Sequence, residues 1–240
     1  MQSKMSNASR LERRSWPRLV GEATAIVLSI LLAFSIDAWW DRRQEHREES
    51  LVIAALRDDF AFNVADLTER YDMLAVRIEQ MSALRDLLQP PGGCAEAQVP
   101  NELLHTLLTG SGTIDLRMGT LDAMIGAGRL DQLSDPRLRE LLSSWPRLVS
   151  DVRTDQLQRR EWLYSEFIPL MAQHGDYSHV FAVSPYDTLS PGETPVACLV
   201  ELRTMVSVRQ AMEQWTHQDM GPLLDTTSRI ADLLDARGAG

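Results

Sequence analysis

The stretch GEATAIVLSILLAFSIDAWWDRRQEHREES, from Gly21 to Ser50, begins apolar, meets a tryptophan pair and ends in dense mixed charge. Fourteen residues between Glu22 and Asp37 carry no charge, a length that suits a signal-peptide core or a buried helix as well as a membrane span. With interfacial ends allowed, Leu19 to Trp40 gives 22 residues, about 33 Å of helix at 1.5 Å per residue. Glu22 and Asp37 then fall near the headgroups, Trp39 and Trp40 where aromatic rings prefer to lie, and Arg18 just outside. Cleavage behind Ala33-Phe34-Ser35 is the main rival, because small residues at that spacing behind a basic leader suit a signal peptidase. Against cleavage, no Gly or Pro occurs from Glu22 to Leu88, so the apolar run passes into a charged helix without an extended segment. A core helix of a soluble domain is a third reading. The uncleaved anchor is the expectation.

Orientation follows from charge. Lys4, Arg10, Arg13, Arg14 and Arg18 precede the apolar run, whereas Asp41 to Glu49 mixes three arginines with four acids. The basic side is expected in the cytoplasm, and residues 41–240 in the periplasm or outside the cell. This makes the chain a single-pass protein of a bacterial inner membrane, with the lipid bilayer as its first partner. The fewer than twenty residues before the anchor leave no room for a cytoplasmic output domain.

The 240 residues are 44% hydrophobic and 24% charged, enough for an anchor and one globular domain. Of the formal charge of -10, residues 1–40 hold five basic and three acidic groups, leaving -12 on the remainder. That sign argues against nucleic acid as a partner of the exported part.

Working outward, residues 42–88 read as one helix with a seven-residue seam of Ile53, Phe60, Leu67, Leu74, Met81 and Leu88. Val64, Tyr71 and Ile78 widen the stripe, and Arg57, Asn63, Arg70, Arg77 and Arg85 flank it. Either the helix packs on its own domain, or the seam joins two copies in a parallel homo-oligomeric stalk. A stalk would have to tolerate Asn63 and Arg70 near the seam.

Gln89-Pro90-Pro91-Gly92-Gly93 ends the helix and opens a loop over 89–100. Short helices are expected after Pro100 and over Thr120–Ala127, and another after Asp135, which can cap with Pro136 in the first turn. Pro146 should bend or break that helix at Trp145, and Arg153–Glu161, with only Leu157 apolar, should be largely solvated. Helical structure is thus expected over about 101–174. A loop spans 175–196, with a short strand at His179–Val183, and a last helix over about 197–237 bends at Gly221-Pro222. The fold class expected is all-α: an N-terminal transmembrane helix continuing into a long amphipathic helix of an extracytoplasmic bundle.

Gly21-Glu22, Ala33, Trp39, Arg43, Glu48-Glu49, Leu56, Asp59 and Asn63 form one pattern, and Leu121 to Leu130 with Asp135-Pro136 and Leu138 a second. Together they resemble a widespread bacterial family known only as a domain of unknown function. The resemblance implies a small, mostly helical protein with one N-terminal membrane helix, and carries no reaction, ligand or catalytic residue. Asp37-Ala38 replaces that family's polar pair before Trp39, and the Pro-rich insertion near Cys94 is a further departure.

Few motifs point to chemistry. The five histidines are scattered without HExxH or CxxC spacing, and only His174, Asp176 and His179 cluster, so no metal or other cofactor is expected. Gly110-Ser111-Gly112 and Gly126-Ala127-Gly128 lack the strand and the further residues of phosphate or dinucleotide loops. Asp58 and Asp59 diverge by about 100° on a helix and cannot share a site, and GxSxG is absent. The chain is read as a non-enzyme: an interaction, scaffold or accessory subunit for a membrane or periplasmic protein. A small-ligand-binding sensory bundle is the alternative, and an enzyme assembled from dispersed residues a more distant one. Cys94 and Cys198, the two cysteines, both lie beside Pro/Gly-rich loops at helix ends, which suggests a bridge in an oxidising compartment. Free thiols and pairing between two copies are the other readings.

Overall fold

The computed structural model describes residues 16–90, 92–109, 112–181 and 191–238. The chain is all-α in class, with two short strands. It divides into two compact units, Met1–Val52 and Ile53–Gly240, and the first helix, α1 (Trp16–Leu87), contributes to both.

Within the first unit the described residues are helical, and the apolar side chains lie bare. Ile26, Leu28, Leu31, Leu32, Phe34 and Ile36 are each at least half exposed, and they point around the whole helix. A helix apolar on every side needs an apolar surrounding, which the described residues of this unit do not supply. By length and composition this helix can cross a membrane. Thr24, Ser29 and Ser35 turn their hydroxyls back onto the carbonyls of Val20, Ala25 and Leu31, so they add no unpaired donor to that surface.

In the second unit, Ile53, Phe60, Leu67, Leu74, Met81 and Leu88 are all buried within the chain. The seam therefore serves the domain's own core. Asn63, which would have weakened a stalk, instead clamps a backbone. Its amide donates to the Arg117 carbonyl at 3.0 Å and accepts from the Arg117 N–H at 2.8 Å.

After α1 come β1 (Glu96–Pro100), α2 (Asn101–Leu108), α3 (Gly119–Gly126), a 3₁₀ turn (Leu130–Gln132) and α4 (Pro136–Trp162). A π-helical turn (Leu163–Phe167) leads into α5 (Ile168–His174), followed by α6 (Ser178–Phe181), β2 (Glu193–Ala197) and α7 (Val200–Gly238). The α3 stop is glycine chemistry: Gly128 sits at φ 65°, with its N–H on Ile125 and the Arg129 N–H on Met124. Asp135 caps α4 as expected, accepting from Arg137 N–H at 2.8 Å and Leu138 N–H at 3.2 Å, with Pro136 in the first turn.

Two local expectations are corrected. Pro146 does not break α4. Its neighbour Trp145 is fully buried, with its ring 5.0 Å from Phe60 and its indole N–H donating to Thr227 Oγ1 at 2.8 Å. This anchorage holds the helix across a residue whose interior cost is about 3 kcal/mol. Pro222 lies inside α7, which continues through it. The segment from Arg153 to Glu161 is largely exposed as expected, with Gln156 and Arg159 the buried exceptions. Finally, the described part of His179–Val183 is the end of α6, not a strand.

The strands lie where loops were expected. β1 and β2 pair antiparallel with Glu96 opposite Ala197 and Pro100 opposite Glu193. Ala97, Val99, Thr194 and Val196 turn inward. Pro100 and Pro195 mask the pattern in sequence, yet a two-stranded sheet leaves each strand one free edge, where a missing N–H costs nothing.

Candidate functional site

The charged side chains that fold inward converge on Glu213 of α7. Its carboxylate accepts from Arg159 Nη1 of α4 at 2.5 Å, lies 3.1 Å from Arg209 Nη2 one turn earlier, and lies 3.8 Å from Arg77 Nε of α1. Glu213 and Arg209 have side chains no more than 1% exposed, and Arg159 4%. Helical spacing brings them together: Arg209 and Glu213 are four apart on α7, and α4 packs along the same face.

The remaining donors meet a helix end. Arg77 Nη2 donates to the Thr106 and Thr109 carbonyls, both at 2.8 Å, and Arg209 Nη2 donates to Thr109 at 2.9 Å. These carbonyls close α2, whose C-terminus carries about half a negative charge. Three guanidinium groups thus face one carboxylate and about half a charge, an excess of at most roughly one and a half positive charges, because Asp155 also acts on Arg159. Arg77 Nε and Arg209 Nε and Nη1 are buried without a hydrogen-bond partner. Burial pulls Arg209 down to about 10 against the upward pull of Glu213, and lowers Arg77 and Arg159 for the same reason. All three stay cationic at neutral pH.

Beside the cluster lies a cavity of about 190 Å³ between α1, α4 and α7. Arg77, Arg159 and Gln156 form its polar wall, and Met73, Leu74 and Met220 its apolar one. Arg70, also on the wall, is paired with Asp66 at 2.7 Å. Gln156 is buried and accepts the Ile114 N–H at 2.9 Å, which pins the backbone across the cavity. One turn before Arg159, Asp155 is pushed up to about 6 by burial and by the facing Asp219.

Cys94 and Cys198 are joined in a disulfide with Cα atoms 5.6 Å apart, and Cys198 N–H donates to Ala95 O at 3.0 Å beside the strand pair. That Cα separation lies within the range a bridge inside one chain requires. Glu22, Asp37, Trp39 and Trp40 are exposed on α1, with Arg43 over the Trp39 ring at 5.5 Å, while the Arg18 side chain lies outside the described residues. Asp59 accepts the Thr120 hydroxyl at 2.6 Å at the start of α3, and Asp58 takes no part. Asp176 accepts the Ser178 N–H, and His179 Nε2 meets Thr194 Oγ1 at 2.8 Å. Among the described residues no group of three or more His, Cys, Asp and Glu side chains is placed to hold a metal.

The arginine cluster went unseen in sequence because its members are spread over Arg77, Arg159, Arg209 and Glu213. The one local signal was the Arg209/Glu213 spacing, which is common on solvated helix faces. No family model matches the chain, and neither a curated protein nor a solved structure matches it.

Proposed function

We propose that this chain is a single-pass membrane protein with a cytoplasmic N-terminus, whose helical domain stands in the periplasm as an interaction, scaffold or accessory module of a membrane complex. The observation that carries the reading is the bare apolar surface from Ile26 to Ile36, on all sides of its helix. The basic residues before it and the mixed charge after it favour this orientation. The Cys94–Cys198 bridge supports it independently, because such bonds persist in oxidising compartments. The net -12 beyond residue 40 suits a soluble face that neither nucleic acid nor anionic lipid would hold. The resemblance to a family of small membrane-anchored helical proteins points the same way.

Reporter fusions after Ser50 test it. Alkaline phosphatase is expected to be active there, and a fluorescent protein that matures only in the cytoplasm to stay dark. The reverse pair of results would refute the orientation. Crosslinking in native membranes followed by purification is then expected to retain a partner with the full chain.

A further inference from the structure

The cavity beside Glu213 has no counterpart in the reading above, and its chemistry does not depend on the side of the membrane it occupies. The geometry points to a binding site for a small organic carboxylate, its carboxyl group against Arg77, Arg159 and Gln156 and its short apolar body against Met73 and Met220.

Three observations carry this. First, the cluster holds more positive charge than it neutralises: three arginines share one buried carboxylate and one helix C-terminus. The excess calls for an anion without fixing its valence, since a monoanion would leave about half a positive charge and a dianion about half a negative one. Asp155, one turn before Arg159, offsets part of this excess from outside the cavity wall, and Arg70 is already matched by Asp66. Second, donors remain. Arg159 gives only Nη1 to Glu213 and Gln156 uses only its oxygen, so guanidinium and amide N–H groups on the cavity wall are unspent. Guanidinium pairs are the usual means of holding carboxylates. Third, the cavity is small and mostly apolar. Its volume is that of about six waters, below the ~300 Å³ at which drug-sized sites begin. Met73, Leu74 and Met220 would strip water from a strongly hydrated ion such as sulfate without replacing it, but would suit a short hydrocarbon chain or a single ring.

The test uses the full chain in a neutral detergent, with butyrate and benzoate as probes, butanol and benzyl alcohol as neutral counterparts, and inorganic sulfate. Calorimetric titration and thermal unfolding are expected to show saturable one-to-one binding of at least one carboxylate, with no matching response to its alcohol. Arg159→Met should weaken that binding at least tenfold. Because this variant disturbs a buried pair, Met73→Trp provides the second arm: Met73 is 49% exposed at the cavity mouth, and a larger ring there should block binding while leaving the arginines and the fold intact. The inference is overturned if neither carboxylate binds, if the alcohols bind equally, if sulfate binds as tightly as the carboxylates, or if a folded Met73→Trp protein binds unchanged.

Discussion

Glu213→Gln should be among the most damaging single changes in the domain, and Arg209→Met, in the same ion cluster, should be mild. Among the described residues Glu213 is the carboxylate that Arg77, Arg159 and Arg209 share, and its side chain is 1% exposed. Glutamine keeps the shape but leaves three guanidinium groups without a counter-charge. Breaking a buried ion pair by removing one partner costs about 3–5 kcal/mol, and here a single change unpairs three cations. For a unit the size of Ile53–Gly240, 1 kcal/mol corresponds to about 2–4 °C, so the melting temperature should fall by about 6–20 °C. Arg209→Met loses one hydrogen bond, to Thr109 at 2.9 Å, worth about 1.5–3 kcal/mol for a charged donor, and the ion pair to Glu213 at 3.1 Å, but Glu213 keeps Arg159 and Arg77 as counter-ions. It also removes two unpartnered buried N–H sites and one like charge near Arg77 and Arg159, which offsets most of that loss. The expected net cost is about 1 kcal/mol or less. Thermal and denaturant unfolding of the two variants and of the double variant, followed by circular dichroism at pH 7, measure the difference. The double variant should recover part of the Glu213→Gln loss by removing one uncompensated cation. If Arg209→Met were as destabilising as Glu213→Gln, or the double variant worse than the sum, the excess of positive charge would not be the governing feature.

Reduction of the Cys94–Cys198 bridge should lower stability by about 2–4 kcal/mol; its separation of 104 residues sets a chain-entropy ceiling of about 4.7 kcal/mol. Thiol labelling of unreduced, denatured protein from native envelopes should find no free thiol, and two labelled cysteines would count against both bridge and exported topology. Asp155 is raised to about 6 by burial and by Asp219, above its usual value near 4, so the folded state binds more protons between about pH 4 and 6. Stability from this group therefore falls as pH rises through that window. Asp155→Asn should raise the melting temperature at pH 7.5 and lose its advantage by pH 4; an equal gain at both pH values would contradict the assigned cause.

The helical class, the apolar Gly21–Ile36 run, the core seam from Ile53 to Leu88, the Asp135 cap and the glycine stop at Gly128 were all legible in the sequence. Each rests on interactions within a few residues, or on a period that repeats along one helix, so a linear reading contains the relevant physics. The bridge was legible in part, because two cysteines beside loop ends leave few pairings. What tertiary structure alone decided depends on partners far apart in the chain. The seam could face a second copy or its own domain until its residues were seen buried within the chain, with Phe60 against Trp145 of α4 and Tyr71 against His217 of α7. Pro146 could break a helix until Trp145 was anchored on Phe60 and Thr227. Five-residue strands containing prolines gain their order only from each other, 93 residues apart even at the Pro100–Glu193 end (193 - 100). Arg159 lay in a stretch that composition marks as solvated, because propensity scales count a charge as exposed unless its counter-ion is known. Its counter-ion, Glu213, is 54 residues away and reaches it only when α4 packs on α7.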